Sequence, residues 1–242
     1  MVHRLRTQQQ PKLDKAPPRP TACSMPRLQA MTWNPGGLSQ SGLVELRMWL
    51  HQHPIDVMIV PETKWSFSNN WSDDRWTYVR SASGTPRVGG ILVMISKKLI
   101  NSSNITYDYV IPGRLLHVHL GFDRQSITIV AAYQHAFDHS ADNFSKRAVF
   151  WDTFDQFLYR LPRRTRILCG GDYNCTLPGV HPWTGSFIFR WKGRLCSGHQ
   201  HKDASRFLQI LQNHGLTALN SWSTLTGPTF FIVITALVLI FF

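Results

Sequence analysis

Residues 166–174 read Arg166-Ile167-Leu168-Cys169-Gly170-Gly171-Asp172-Tyr173-Asn174. An apolar run that stops at two glycines and delivers Asp and Asn two positions apart is the pattern of a buried strand ending at a polar site. In extended chain residues i and i+2 share a face, so Asp172 and Asn174 are expected to aim at one spot and Tyr173 away from it. Without a Cβ, the two glycines let the backbone turn sharply and let a ligand approach closely. A carboxylate beside an amide suits an oxygen-seeking cation, or a water that must be oriented and deprotonated. On its own the pair is equally an ordinary turn after a core strand, because Asp and Asn both favour turns.

What decides is whether other polar strand ends can converge with it. The run 28–33 reads as a strand ending at Asn34-Pro35-Gly36-Gly37. Leu43, Leu46 and Leu50, with Val44 and Met48 near them, repeat at helical spacing up to His53-Pro54. The β-rich run 55–61 then closes on Glu62-Thr63, this time with a carboxylate. Trp65, Phe67, Trp71, Trp76 and Tyr78 follow in a segment expected to be irregular, mostly core, with one or two rings left to stack on a base. Further strands are expected over 89–95, 115–120 and 126–133, the last two joined by a turn at Gly121-Phe122-Asp123-Arg124. The latter ends at Tyr133-Gln134-His135.

A helix over 145–160 is expected to place Val149, Phe150, Phe154, Phe157, Leu158 and Leu161 inward and to lead into the Asp172 strand. After a Trp/Gly/Arg-rich loop over 181–201, residues 204–214 read as a helix capped by Gly215, and 216–220 as a further strand. Strand–helix–strand with short connections is the unit of an α/β fold. If the strands lie side by side, Asn34, Glu62, Tyr133, Asp172 and Asn174 share one rim. Phosphoryl chemistry needs such a set: a hard carboxylate for Mg²⁺, a second acid to activate water, and amide or phenol groups to orient phosphate oxygens.

Composition narrows the partners. With 242 residues and 43% hydrophobic content the chain is long enough to bury a core, and 26 Lys+Arg against 14 Asp+Glu give a net charge of +12. Such an excess points to polyanions, nucleic acid or an anionic membrane surface; solvated charge and a basic leader would look the same. Residues 1–27, rich in Pro, Gln, Lys and Arg without apolar period, read as a disordered basic leader. Cys23, Cys169, Cys175 and Cys196 show no CxxC spacing, and Cys169 and Cys175 read as buried thiols. Cys196, His199 and His201 lack a second ligand pair at zinc spacing. No apolar signal segment opens the chain, so it is not read as secreted and the Asn-x-Ser/Thr triplets are discounted.

In order and spacing, Trp33-Asn34-Pro35-Gly36-Gly37, Pro61-Glu62-Thr63, the strand ending at Tyr133 and Gly170-Gly171-Asp172-Tyr173-Asn174 resemble the endonuclease/exonuclease/phosphatase superfamily. More narrowly, Tyr133-Gln134-His135-Ala136, Trp222-Ser223-Thr224 and Gly227-Pro228-Thr229 look like the apurinic-type endonuclease domain of LINE-like non-LTR retrotransposons. The resemblance spans 28–229. It implies a DNase I-like four-layer α/β sandwich, two mixed β-sheets flanked by helices, and Mg²⁺- or Mn²⁺-dependent endonuclease cleavage of DNA. Carried over by position, Glu62 binds the metal with help from Asn34, Tyr133 contacts the scissile phosphate, Asp172 orients or deprotonates water, and Asn174 holds water and phosphate in line. Arg114 matches a position often occupied by arginine, with a supporting role on the phosphate. A retrotransposon endonuclease would act in the nucleus.

Members of the superfamily continue with Arg-x-Asp and finish with Ser-Asp-His. After Arg206 this chain has no Asp, Glu, Lys or Arg, and after His214 no histidine. The expectation is therefore a domain incomplete at its C-terminal side, and the competing reading is a catalytically impaired remnant that still binds nucleic acid. His119, His135 and His139 remain as histidines whose place the sequence does not fix. A helix over the apolar tail 230–242 would span about 20 Å against a hydrocarbon core of about 30 Å. Strand structure fits its β-branched and aromatic content equally, which leaves a marginal membrane anchor or an aggregation-prone end.

Overall fold

The computed structural model of the chain describes residues 28–85, 87–123, 125–162, 165–175 and 200–218, the side chains of 200–202 excepted. The leader over 1–27, the loop with Cys196 and His199, the Trp222 and Gly227 motifs and the tail over 230–242 lie outside the described residues. Among those described, no helix is long and apolar enough to cross a membrane.

The strands form two sheets. The first orders β1 (Ala30–Thr32), β2 (Val57–Pro61), β5 (Ile91–Ser96), β4 (Trp76–Ser81) and β3 (Asn69–Ser72), with β1 parallel to β2 and the other pairs antiparallel. The second orders β6 (Ile105–Ile111), β7 (Leu115–Phe122), β8 (Gln125–Tyr133) and β9 (Arg166–Asp172), antiparallel except for the parallel pair β8–β9. Each parallel neighbour needs a crossover rather than a hairpin. The helix α1 (Gln40–Gln52) supplies the first and α2 (Ala141–Arg160) the second.

Burial explains why the central strands are continuously apolar. Alternate residues of a strand face opposite sides, and here both sides are covered. Val57 and Ile59 of β2 enter the seam between the sheets with Val93, Leu116, Ile129 and Leu168. Met58 and Val60 face outward, under Leu43, Leu46 and Leu50 of α1. The outer face of the second sheet is sealed by Phe150, Trp151 and Phe154 of α2, with Phe207, Ile210 and Leu211 of α3 (Gln200–Asn213). Helix, sheet, sheet, helices: this is the expected four-layer α/β sandwich with two mixed sheets.

Several elements depart from expectation. In the aromatic segment after Glu62, Trp65 and Phe67 lie in irregular chain as expected, but Trp71, Trp76 and Tyr78 belong to the hairpin β3–β4. It hid because β3 is a short polar edge strand, while β4 is buried throughout and carries Arg80 inside the core at 4% exposure. The edge strand β6 is a further strand that the sequence reading does not include, with Thr106, Tyr107 and Asp108 exposed and Tyr109, Val110 and Ile111 half-buried. Helix α2 begins at Ala141, because Ser140 caps it by accepting the Asn143 N–H. Its inner stripe holds Asn143, Arg147 and Trp151 as well as the expected Phe150, Phe154 and Leu158, and Val149 turns to solvent. Helix α3 begins at Gln200 and ends where Gly215, at φ +62°, leaves the helical region.

The two glycines of β9 have different duties. A Cβ on Gly170 would stand 2.6 Å from Ile59 Cδ1, so the sheets meet closely there. At Gly171 the backbone lies at φ +139° and a Cβ would stand 1.9 Å from the carbonyl oxygen of Ala132. Both the clash and the left-handed backbone exclude any side chain. Gly171→Ala is expected to lower stability by about 3 kcal/mol or more, read as a reduced urea midpoint. An unchanged midpoint would show that β8 and β9 are not in this register.

Candidate active site

The strand ends converge as the spacing implied. β1 and β2 lie side by side and hand off to Asn34 and Glu62; β8 and β9 do the same with Tyr133 paired to Asp172. One amide joins the two sheets: Asn34 Nδ2 donates to Glu62 Oε2 at 3.0 Å and to Asp172 Oδ2 at 2.8 Å. Asn34 Oδ1 meanwhile accepts the Gly36 N–H at 2.8 Å, which fixes the amide's orientation. As placed, Asn34 holds two carboxylates and offers its N–H edge, not an oxygen, to the space between them.

Glu62 reaches this point through strained backbone. It lies at φ +57° and Lys64 at φ +59°, in the region that residues with a Cβ seldom adopt. Thr63 and Lys64 are pinned by their N–H groups to the carbonyls of Gly90 and Gly89. Lys64 Nζ sits 3.2 Å from Glu62 Oε1 and also donates to the Gly36 carbonyl. Lys64 was not singled out from sequence, since a lysine after a strand reads as solvated surface until its partners are known.

Tyr133 is buried, with the Glu62 carboxylate near its phenol. Burial first, and then the Glu62 carboxylate, push that phenol well above its ordinary range. It is therefore a neutral donor at any physiological pH. The Arg114 guanidinium lies 4.5 Å from the centre of the Tyr133 ring. Burial lowers its pKa, which Tyr133 and Glu62 partly offset.

The pairing of Asp172 with Asn174 comes about differently than expected. β9 ends at Asp172, and Asn174 lies at φ +43° in a turn. Its N–H donates to Asp172 Oδ1 at 2.9 Å and its Nδ2 to the carbonyl of Gln134 at 2.9 Å. The two residues are thus joined by a turn and not by extended alternation. Tyr173 does point away, fully buried against Trp151 and Phe207.

Of the aromatic residues considered for base stacking, Trp76 and Tyr78 are core and Trp71 stacks on Tyr78 at 4.6 Å. Phe67 alone of the five is largely exposed, with the Arg80 guanidinium 3.7 Å from its ring centre. Cys169 is buried, which pushes its thiol up, and Cys175 is half-buried.

Among the described residues no three of His, Cys, Asp and Glu gather as a metal cluster. Glu62, Asp172 and the Tyr133 hydroxyl nevertheless form an oxygen-rich set. That set fits Mg²⁺, which takes one or two carboxylates and completes its shell with water and substrate phosphate.

The endonuclease/exonuclease/phosphatase family profile matches residues 31–231. The chain belongs to that family. Solved structures agree on the fold. AP endonuclease LMAP from Leishmania major superposes with TM-score 0.59 at 16% identity, over 79% of this chain and 68% of that one. An AP endonuclease from Archaeoglobus fulgidus gives 0.52 at 15%, over 76% and 71%. The Neisseria 3′ phosphatase NExo, bound to a product DNA hairpin, gives 0.53 at 14%, over 87% and 84%. Among curated proteins none matches the sequence.

His135, one of the three unplaced histidines, is half-buried beside this site. Burial, then the charges of Arg114, Lys146 and Arg147, hold its pKa at about 4 against an ordinary 6.5, with Asp142 opposing. The unfolded chain therefore takes up a proton that the folded one refuses. Stability is full above pH 6.5 and falls as pH drops toward 4. Urea midpoints measured across that window should show the loss, and His135→Gln should flatten it. An equal acid slope in the variant would assign the loss to another group.

Proposed function

We propose that this chain is a Mg²⁺- or Mn²⁺-dependent phosphodiester hydrolase of the endonuclease type, acting on DNA and derived from a retrotransposon. The observation that carries the reading is the Asn34 amide holding Glu62 and Asp172 within one hydrogen-bond length of a single nitrogen. Two carboxylates kept together by a neutral donor suit a task needing both, and the hydrolytic family supplies the reaction class. The net charge of +12 favours a polyanion, and the NExo structure carries a DNA product. The Tyr133-Gln134-His135-Ala136 wording supports the retrotransposon origin, and a nuclease of that origin acts on nuclear DNA.

In this reading Glu62 is the principal metal ligand, and the ion bound there would neutralise charge on the scissile phosphate. Asp172, oriented by Asn34 and by the Asn174 N–H, accepts the proton of the attacking water. The Tyr133 hydroxyl, kept neutral by burial and by the Glu62 carboxylate, donates to a phosphate oxygen. Arg114 lies behind that ring and adds positive charge. Asn174 orients water and phosphate in line through its remaining amide oxygen.

The test is nicking of a supercoiled plasmid by the full chain, with Mg²⁺, Mn²⁺ or chelator, beside Asp172→Ala and Glu62→Ala. Metal-dependent nicking that falls by about 10²-fold or more in both variants is expected. Nicking that survives in chelator, or in both variants, would overturn the reading. DNA binding that weakens with salt but never leads to nicking would leave a binding protein and no nuclease.

A further inference from the structure

The hydrolase reading leaves open what holds the two site turns that follow β8 and β9. Neither is regular structure: the first directly follows Tyr133, and the second places Asn174 through irregular backbone. Both are tied to one side chain on α2. Arg147 is 3% exposed and donates from Nη1 to the carbonyl of His135 and from Nη2 to the carbonyl of Asn174, the latter at 3.0 Å. Its third edge meets α3: Nε donates to Asp203 Oδ2 at 2.6 Å, and Nη2 completes the ion pair. The guanidinium fork is thus filled on three sides, which no other residue type can reproduce.

Gln134 closes the arrangement. Its Nε2 donates to the Arg147 carbonyl at 3.2 Å and its Oε1 accepts the His135 N–H at 2.8 Å. Its own N–H bonds the Asp172 carbonyl, and its carbonyl accepts from Asn174 Nδ2. Gln134 is fully buried. The turn after Tyr133 and the turn after Asp172 are therefore one hydrogen-bonded body, clamped by Arg147 from below.

We propose that Arg147 is a positioning residue for hydrolysis. It fixes the turn that follows Tyr133 and the turn that carries Asn174 relative to Asp172, and Asp203 serves to compensate its buried charge. The proposal rests on the hydrolase reading for its kinetic part only. Misplacement of reacting groups by about 1 Å costs on the order of 10²-fold in rate, so a loosened clamp is read in kcat. Arg147 itself faces carbonyls and Asp203 and not the cleft, so KM is expected to change little.

Two substitutions separate positioning from plain stability. Arg147→Lys keeps a cation opposite Asp203 but cannot bond both carbonyls and the carboxylate together. Asp203→Asn removes the compensating charge and leaves both carbonyl bonds in place. Arg147→Lys is expected to lower kcat for plasmid nicking by about 10²-fold with KM within about 2-fold. Asp203→Asn is expected to lower Tm while kcat holds. Amide hydrogen exchange of 134–136 and 172–175 should speed at least about tenfold in Arg147→Lys and not in Asp203→Asn. Full kcat in Arg147→Lys, or equal kcat losses in both variants, would overturn the proposal. If the unsubstituted chain hydrolyses nothing, the hydrolase reading falls by itself. Selective exchange in the two turns then still supports the clamp, and unchanged protection overturns it.

Discussion

Two carboxylates that belong to different sheets cannot be brought together without a reason. Glu62 and Asp172 oxygens each lie within 3.0 Å of Asn34 Nδ2. Ionised groups at most about 6 Å apart repel by roughly 3 kcal/mol at an effective dielectric near 20. The two protons of a single amide offset part of that repulsion, Lys64 beside Glu62 offsets more, and a divalent ion would reverse its sign. Everything around the pair can be understood as holding this unfavourable juxtaposition. The seam between the sheets fixes the strand ends, the Gly36 N–H locks the amide, and the hairpin carbonyls of Gly89 and Gly90 hold the strained turn that carries Glu62.

The part of the site on strand ends was legible in the sequence. Asn34, Glu62, Tyr133 and Asp172 each follow an apolar run or strand, and each of the two parallel strand pairs brings its own two ends together by construction. Asn174 was legible as a residue and not as a geometry, because a backbone at φ +43° leaves no mark on the alternation pattern. Lys64, Gln134 and Arg147 were invisible for a different cause. Their meaning lies in partners tens of residues away, such as Arg147 with Asp203, and a single basic residue in a helix reads as solvent-facing. The strand β3 escaped because this edge strand, Asn-Asn-Trp-Ser, is polar and so resembles a loop, whereas β6 is β-branched and aromatic and was legible in the sequence. Val149 was assigned inward on hydrophobicity alone, while the buried stripe of α2 runs through Asn143 and Arg147 at the end near the site.

The segment 172–174 also depends on the helical layer behind it. Trp151, Phe154 and Phe207 enclose the Tyr173 ring, which lies between Asp172 and Asn174 in the chain. Tyr173 is an anchor buried in the aromatic core, while its two neighbours work at the surface. The same helices present Arg147 and Asp203 to the turns above. One layer thus grips the site segment through both an apolar and an ionic contact.

The close meeting of Gly170 with Ile59 has a consequence for how this molecule tolerates change. That contact lies two residues before Asp172 and three before Glu62, and on the β9 side only a hydrogen atom faces the other sheet. Any bulk added there acts as a wedge. It pries Asp172 on one sheet from Glu62 on the other while leaving every site residue intact. The hydrocarbon interior is in this sense a calliper whose jaws are the two acids, and drift in the core sequence is felt first as a change in the gap between them.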